Sequence, residues 1–345
     1  MRWDNLSTEA DAARRLPGYR DEAVVRTFDA PEALDTRFYE VQARSALNRV
    51  PKASRMPFRF TINPYRGCSH ACTFCFARPT HTYLDFNARR DFEREIVVKV
   101  NLPEVLRAEL ARPSWKREHV ALGTNTDPYQ WVESRYKLMP GIWEALRDAD
   151  TPCSVLTKSP LLLRDLPLMQ QLAERVGFTA NLSVPTLDEK AWRSTEPHTP
   201  HPRKRLEAVA ELNRAGIPTG ILVAPLMPGI NDAPEQVAPI LELAAEAGAT
   251  HISGVALHLR GEVRDIFFDW LREHRPDLLP RYRELYRRGA YAAPEERRRL
   301  QALVRADRRD PAPPDGLGRL MRSFEGGGDA QPAPASQPAR QESLF

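Results

Sequence analysis

Asn63-Pro64-Tyr65-Arg66-Gly67-Cys68-Ser69-His70-Ala71-Cys72-Thr73-Phe74-Cys75-Phe76 is the stretch from which the rest of the chain is read. It holds three of the four cysteines, spaced C-x-x-x-C-x-x-C. A structural zinc site takes four ligands in a tetrahedron, and a complete ferredoxin-type loop brings a fourth thiolate. A triplet therefore leaves one metal position open for chemistry. Two other readings of the same residues stand beside it: a zinc knuckle completed by His70 or His81, and a chance clustering of thiols.

Immediately before this loop, Phe58-Arg59-Phe60-Thr61-Ile62 alternates as a strand does. Five further strand-like runs follow: His119 to Gly123, Cys153 to Thr157, Thr179 to Ser183, Thr219 to Ala224 and His251 to Leu257. Helical stretches separate them, at Leu102 to Ala111, Gly141 to Asp148, Leu166 to Val176, Pro202 to Ala215 and Ala233 to Ala247, the last two stopped by Gly216 and Gly248. Strands alternating with helices predict a parallel βα barrel.

The 345 residues are enough for one such barrel with appendages, and 42% hydrophobic with 28% charged residues is ordinary for a globular protein. No apolar run approaches membrane-spanning length, and Met1-Arg2-Trp3-Asp4-Asn5 lacks the apolar segment of a signal peptide. The expectation is a cytoplasmic protein with no membrane partner. Three cysteines in one loop do not make a disulfide framework. The net charge of +4 is compatible with a polyanionic partner without demonstrating one. Lysine is scarce, appearing only at Lys52, Lys99, Lys116, Lys137, Lys158, Lys190 and Lys204, so each is worth inspecting.

In a parallel barrel the active site lies at the carboxyl ends of the strands, where the following loops converge. The strand exits read Gly123-Thr124-Asn125-Thr126-Asp127-Pro128-Tyr129-Gln130, Thr157-Lys158-Ser159-Pro160, Ser183-Val184-Pro185, Ala224-Pro225-Leu226-Met227-Pro228-Gly229-Ile230-Asn231-Asp232 and Ala256-Leu257-His258-Leu259-Arg260-Gly261. A lysine at an exit is a compact cation suited to a carboxylate, which Ser183 can also hydrogen-bond.

The cysteine loop and these exits, in this order, resemble the radical S-adenosylmethionine (SAM) superfamily and, within it, the spore photoproduct lyase-like branch, over Arg2 through about Ala292. The resemblance implies an α/β fold, a partial (β/α)6 TIM-like barrel with an N-terminal extension and C-terminal helices. It implies a 4Fe-4S cluster on Cys68, Cys72 and Cys75, its fourth iron chelated by SAM. Phe74 then lies against the adenine, and Thr126, Asp127, Lys158 and Ser183 hold the methionine part of SAM. One electron splits SAM into methionine and a 5'-deoxyadenosyl radical. His258 and Arg260 face the same mouth as candidate substrate contacts. Damaged DNA is the substrate the resemblance implies first, with an electron donor such as flavodoxin or ferredoxin. Two rivals are radical modification of a protein side chain or tRNA, and a non-catalytic DNA-associated metal-binding module. One departure matters: spore photoproduct lyase has a hydrogen-donating cysteine at the strand-two exit, where this chain has Thr124. The spare thiol, Cys153, opens strand three at the opposite mouth and reads as core packing.

Residues 1–57 read as an N-terminal extension packing on the barrel, 58–262 as the barrel, 263–309 as a basic helical region and 310–345 as a flexible tail rich in Gly, Pro, Ala, Gln and Ser. In the helical region arginines interleave with Trp270, Tyr282 and Tyr286, and two readings stand: a track for a phosphate backbone, or a solvated helix face with Glu partners. The terminal Gln341-Glu342-Ser343-Leu344-Phe345 resembles the short peptide by which bacterial DNA polymerases and repair proteins dock onto the replication sliding clamp. Leu344 and Phe345 would fill an apolar pocket and Gln341 would hydrogen-bond at its edge.

Overall fold

In the computed structural model the strands gather into two sheets. The structure describes residues 8–14, 16–33, 35–51, 54 and 56–305. The tail and its Gln341, Leu344 and Phe345 lie outside the described residues. In chain order the strands are β1 (Thr8–Arg14), β2 (Ala23–Phe28), β3 (Arg37–Val41), β4 (Leu47–Arg49), β5 (Phe60–Ile62), β6 (Tyr65–Arg66), β7 (Glu95–Lys99), β8 (Val120–Leu122), β9 (Cys153–Thr157), β10 (Phe178–Ser183), β11 (Thr219–Leu226) and β12 (Ile252–Ala256). The helices are α1 (Arg90–Arg94), α2 (Leu102–Leu110), α3 (Glu133–Tyr136), α4 (Leu138–Asp148), α5 (Leu166–Arg175), α6 (Glu189–Thr195), α7 (Pro202–Arg214), α8 (Pro234–Glu246), α9 (Glu262–His274), α10 (Leu279–Leu285) and α11 (Pro294–Arg305).

The six predicted barrel strands are β5 and β8 to β12, and they are parallel neighbours in the order β12-β11-β10-β9-β8-β5, with β4 added antiparallel to β5. Each parallel step needs a crossover, which the α/β connections provide. The registers align the strand ends: Cys153–Thr157 of β9 lies beside Phe178–Leu182 of β10, and Val120–Leu122 of β8 beside Cys153–Val155. The six exits therefore open on one rim. A partial (β/α)6 barrel, the expected fold, is what forms.

The core lies between this sheet and its helices, and includes Trp143, Leu146, Val155, Leu182, Val209, Leu212, Ile221 and Ile240. Full burial of an aliphatic or aromatic side chain contributes roughly 1.5 to 3 kcal/mol, so this layer holds the rim rigid. Cys153 is fully buried in it, and burial pushes its thiol well up. Gly123, the first residue after β8, has φ +83°, and a Cβ there would stand 1.8 Å from the Leu156 carbonyl oxygen. Only glycine lets β8 turn onto the rim.

The second sheet has the order β1-β2-β3-β7-β6 and was not legible in the sequence. The sequence has no sustained apolar period before Phe38, yet Ala23, Val25, Phe28, Tyr39 and Val41 are all buried. Burial there follows no simple alternation, since adjacent Phe38 and Tyr39 are both buried, and the partner of β3 is β7, which lies more than fifty residues further on.

The C-terminal segment also corrects an expectation. Trp270, Tyr282 and Tyr286 are buried rather than arrayed on a surface. Tyr282 and Tyr286 stack at 5.8 Å, the Tyr286 hydroxyl donates to the Leu257 carbonyl at 2.7 Å, and Trp270 Nε1 donates to Ser194 O at 2.8 Å. Several outward arginines have glutamate partners: Arg281 and Arg299 on Glu296, and Arg287 on Glu284. These three rings serve the core and do not track phosphates. α11 covers the open edge of the barrel sheet, with Gly254 of β12 leaving room for Val304.

Candidate functional site

The cysteine loop is set by the strands on either side of it. After β5 the chain pairs Tyr65 and Arg66 with Val98 and Val97 of β7, then turns at Gly67, whose φ is +81°. A Cβ at Gly67 would meet the Phe92 carbonyl oxygen at 2.8 Å, and that same carbonyl accepts from Cys68 N at 2.9 Å. Thr73 N donates to Thr195 O at 3.0 Å, tying the loop to α6.

Arg78, a residue that sequence reasoning passed over, holds the loop from within. It is 1% exposed. Its guanidinium donates to the carbonyls of Cys72 and Ala71 at 2.9 Å each, Ala88 at 3.1 Å and Arg89 at 3.0 Å, and pairs with Glu93 at 2.5 Å. A planar fork with five donors can bridge this many acceptors; an ammonium cannot.

Cys68 and Cys72 are buried and Cys75 is partly so. Burial first, then Glu196 and the other two cysteines, push the Cys72 thiol up against the opposing pull of Lys158. Burial and Cys68 do the same to Cys75. The three sulfurs lie within electrostatic reach of one another, and a metal cluster there would displace their protons. Among the described residues no three His, Cys, Asp or Glu side chains close on a single ion. Thiolates so disposed can each serve a different iron of a polynuclear cluster. Of the two histidines, His81 Nε2 sits 2.9 Å from the Glu95 carbonyl oxygen, and His70, with Nδ1 3.3 Å from Asp127 Oδ2, hydrogen-bonds Cys68. The residues present fit an iron-sulfur cluster.

The strand-two exit is tied into the cysteine loop and the neighbouring exit by hydrogen bonds. Thr126 is buried, donates to Gly67 O at 2.7 Å and accepts from Gln130 Nε2 at 3.0 Å, so it braces the cysteine loop. Asp127 accepts from Thr157 Oγ1 at 2.6 Å, Lys158 N at 2.8 Å and Tyr129 N at 2.9 Å. Burial alone would raise its carboxyl, but His70 and these donors outweigh burial and hold it below the usual range. Burial would likewise lower His70, yet Asp127 and Cys68 push it up to about 10. The result is a buried His70 and Asp127 pair behind Cys68. His70 carried a signal in its position between two cysteines; Gln130 carried none.

Lys158 is at the rim as expected, but it is already engaged. Its Nζ donates to Ser183 Oγ at 2.7 Å, pairs with Glu196 Oε1 at 2.7 Å and lies 5.6 Å from the centre of the Phe74 ring. Glu196 is fully buried and pairs on its other side with Arg205 at 2.8 Å. Burial would raise the Glu196 carboxyl, but Arg205 and Lys158 together lower it. Two cations thus share one carboxylate. A net positive charge remains beside Phe74 and the thiols, where an anionic group of a ligand would neutralise it. Ser183 hands its own proton to Ala224 O at 3.1 Å.

His258 stands in a row of rings on the same rim. Its ring is 5.8 Å from Phe76, the residue after Cys75, and 5.8 Å from Tyr291, at interplanar angles of 35° and 28°. Phe76 and Tyr291 are 52% and 61% exposed. Arg297 lies over the Tyr291 ring, and exposed Arg260 lowers the pKa of His258 together with burial, the larger cause.

Comparison with known proteins bears on this arrangement. A family model described as the radical SAM superfamily matches residues 62–259. An uncharacterized protein of Mycobacterium tuberculosis is 47% identical over 319 residues, covering 92% of this chain and 90% of the relative. An uncharacterized protein of Methanocaldococcus jannaschii is 28% identical over 200 residues, covering 56% of this chain and 69% of that one. Among solved structures, a cysteine-to-serine mutant of spore photoproduct lyase matches with a TM-score of 0.58 at 15% identity, covering 78% of each chain. A double mutant of the same lyase with bound AdoMet and dinucleoside spore photoproduct matches with a TM-score of 0.57 at 15% identity over 75% of each chain. At this identity the likeness is one of fold. No helix among the described residues is long and apolar enough to cross a membrane.

Proposed function

The chain belongs to the radical SAM superfamily, and from that premise we propose that it holds a 4Fe-4S cluster on Cys68, Cys72 and Cys75, cleaves SAM reductively beside it, and acts on damaged DNA. The observation that carries the cofactor reading is the pair of cations, Lys158 and Arg205, sharing the single carboxylate of Glu196 within electrostatic reach of Cys72. When bound, the cluster and SAM supply a one-electron cleavage that yields methionine and a 5'-deoxyadenosyl radical.

The chain's own residues do the rest. Lys158 attracts the carboxylate of SAM and Ser183 keeps its ammonium in place. Phe74 offers its ring to the adenine, while Thr126 and Asp127 act through the loop they brace. The exposed row of Phe76, His258 and Tyr291 with Arg260 and Arg297 beside it supports a nucleic-acid substrate, since rings stack on bases and arginines meet phosphates. Thr124 gives no weak S–H bond at the strand-two exit, and Cys153 is sealed in the core at the opposite mouth, so the hydrogen that ends the reaction comes from elsewhere. The reducing cytoplasm, with a flavodoxin or ferredoxin as electron donor, suits a low-potential cluster.

The test is anaerobic reconstitution, reduction with dithionite in the presence of SAM, and analysis of 5'-deoxyadenosine. Wild type and Cys153→Ala are expected to form it, and Cys68→Ala, Cys72→Ala and Cys75→Ala are not. Deuterium passing between 5'-deoxyadenosine and ultraviolet-irradiated DNA supports the DNA substrate; label passing instead to protein or tRNA in an extract replaces it. Protein that stays colourless and holds zinc overturns the whole reading.

A further inference from the structure

The second sheet carries a polar concavity remote in purpose from the cysteine rim. Lys99, the last residue of β7, is 7% exposed, and among the described residues its ammonium has no hydrogen-bond or ion-pair partner. It lines a cavity of about 20 Å3 together with Arg66, Arg44, Tyr19, Gln42 and Ser45, and no carboxylate lines that cavity among the described residues. Burial and then the nearby Arg66 lower the Lys99 pKa to about 7. The Ser45 hydroxyl is committed elsewhere, to Glu109 at 2.8 Å.

A buried ammonium with no counter-ion is costly, and a second cation on the same cavity raises the cost. Such a site resolves either by losing the lysine proton or by taking in an anion. The lining favours the anion. Two arginines and one lysine line it, and guanidinium forks match paired oxygens while the ammonium takes a third. A water needs roughly 10 to 15 Å3 of such space, so the cavity admits one or two oxygen atoms, and the rest of the group lies at its open side by exposed Arg44.

We infer that this cavity binds a phosphate group, with Lys99 at its floor and Arg66 and Arg44 at its walls. The site is independent of the cofactor reading, because none of its lining residues is one of the three cysteines. It has a structural consequence for them, however. Arg66 belongs to β6, two residues before Cys68, so a bound phosphate ties the turn at Gly18-Tyr19 and the segment 42–45 to the strand that delivers the cysteine loop.

The test uses the reconstituted full chain and inorganic phosphate, titrated against chloride at matched ionic strength, with thermal unfolding as the readout. Wild type is expected to gain a saturable rise in midpoint of several degrees. Lys99→Met, which keeps the apolar stem and removes the charge, is expected to unfold at or above the wild-type midpoint in chloride and to lose the phosphate response; Lys99→Arg is expected to retain it. No saturable response in wild type, or an equal response in Lys99→Met, overturns the inference. A short single-stranded oligonucleotide added to the phosphate titration identifies the source. Competition assigns the site to a nucleic-acid backbone, and its absence to free phosphate.

Discussion

Replacing Arg78 by methionine tests the account of how the cysteine loop is held. The guanidinium is 1% exposed and donates to four main-chain carbonyls, two of them within the loop itself, besides pairing with Glu93. Methionine preserves most of the packing on Phe92, over whose ring the guanidinium lies at 5.3 Å. It provides no donor. Each charged hydrogen bond contributes roughly 1.5 to 3 kcal/mol, but four bonds sharing one group do not add independently. Breaking a buried ion pair costs about 3 to 5 kcal/mol, less here because Glu93 is 25% exposed and can hydrate. The expected loss is roughly 3 to 4 kcal/mol, a large fraction of a typical stability of 5 to 15 kcal/mol. Anaerobic urea unfolding reads the loss, and iron and sulfide analysis after reconstitution reads its consequence: less than half the wild-type iron. Arg78→Lys should recover only part of either, since one ammonium cannot reach four carbonyls. Wild-type unfolding energy together with full iron content in Arg78→Met would refute the reasoning.

Four further outcomes are expected. Lys158→Met should weaken SAM binding about tenfold to a hundredfold, by calorimetry under argon, while sparing iron content; equal affinity removes Lys158 from the site. Glu196→Gln should release Lys158 and Arg205 from their shared carboxylate, leave two cations facing each other and lower the unfolding midpoint, and a midpoint equal to wild type contradicts the ion-pair account. His81 is fully buried, and burial lowers its pKa from 6.5 to about 4. The unfolded chain therefore binds the extra proton first, and stability present above pH 6.5 should fall by up to about 3 kcal/mol as the pH drops to 4. Urea midpoints of cluster-free wild type and His81→Gln across that window measure it, the variant giving the flatter curve. A peptide covering Ala339 to Phe345 should bind the bacterial sliding clamp with micromolar affinity by fluorescence anisotropy, and the double change Leu344→Ala with Phe345→Ala should abolish it; no binding by the wild-type peptide at a hundredfold higher concentration discards the tether.

The sequence by itself determined the cysteine loop, the six parallel strands and the order of their exits. Each is a local pattern: thiol spacing, period-two alternation, and a polar residue after an apolar run. Cys153 could be placed in the core for the same reason, since the residue that opens a strand is at the far mouth. Only the tertiary structure decided which exit residues face the rim and which serve the loop behind it. Thr126 and Asp127, read as ligand contacts, also hydrogen-bond Gly67, Thr157 and Lys158, which no local pattern showed. Lys158 read as a cation for a ligand carboxylate and is paired with Glu196, nearly forty residues on and outside every motif. Arg78 and the pairing of β3 with β7 were invisible for the same cause. A side chain's partner depends on which distant backbone carbonyls and charges the fold brings within hydrogen-bond reach. Sequence periodicity records only which face a residue occupies, and a buried charge is satisfied by whatever stands opposite that face in space.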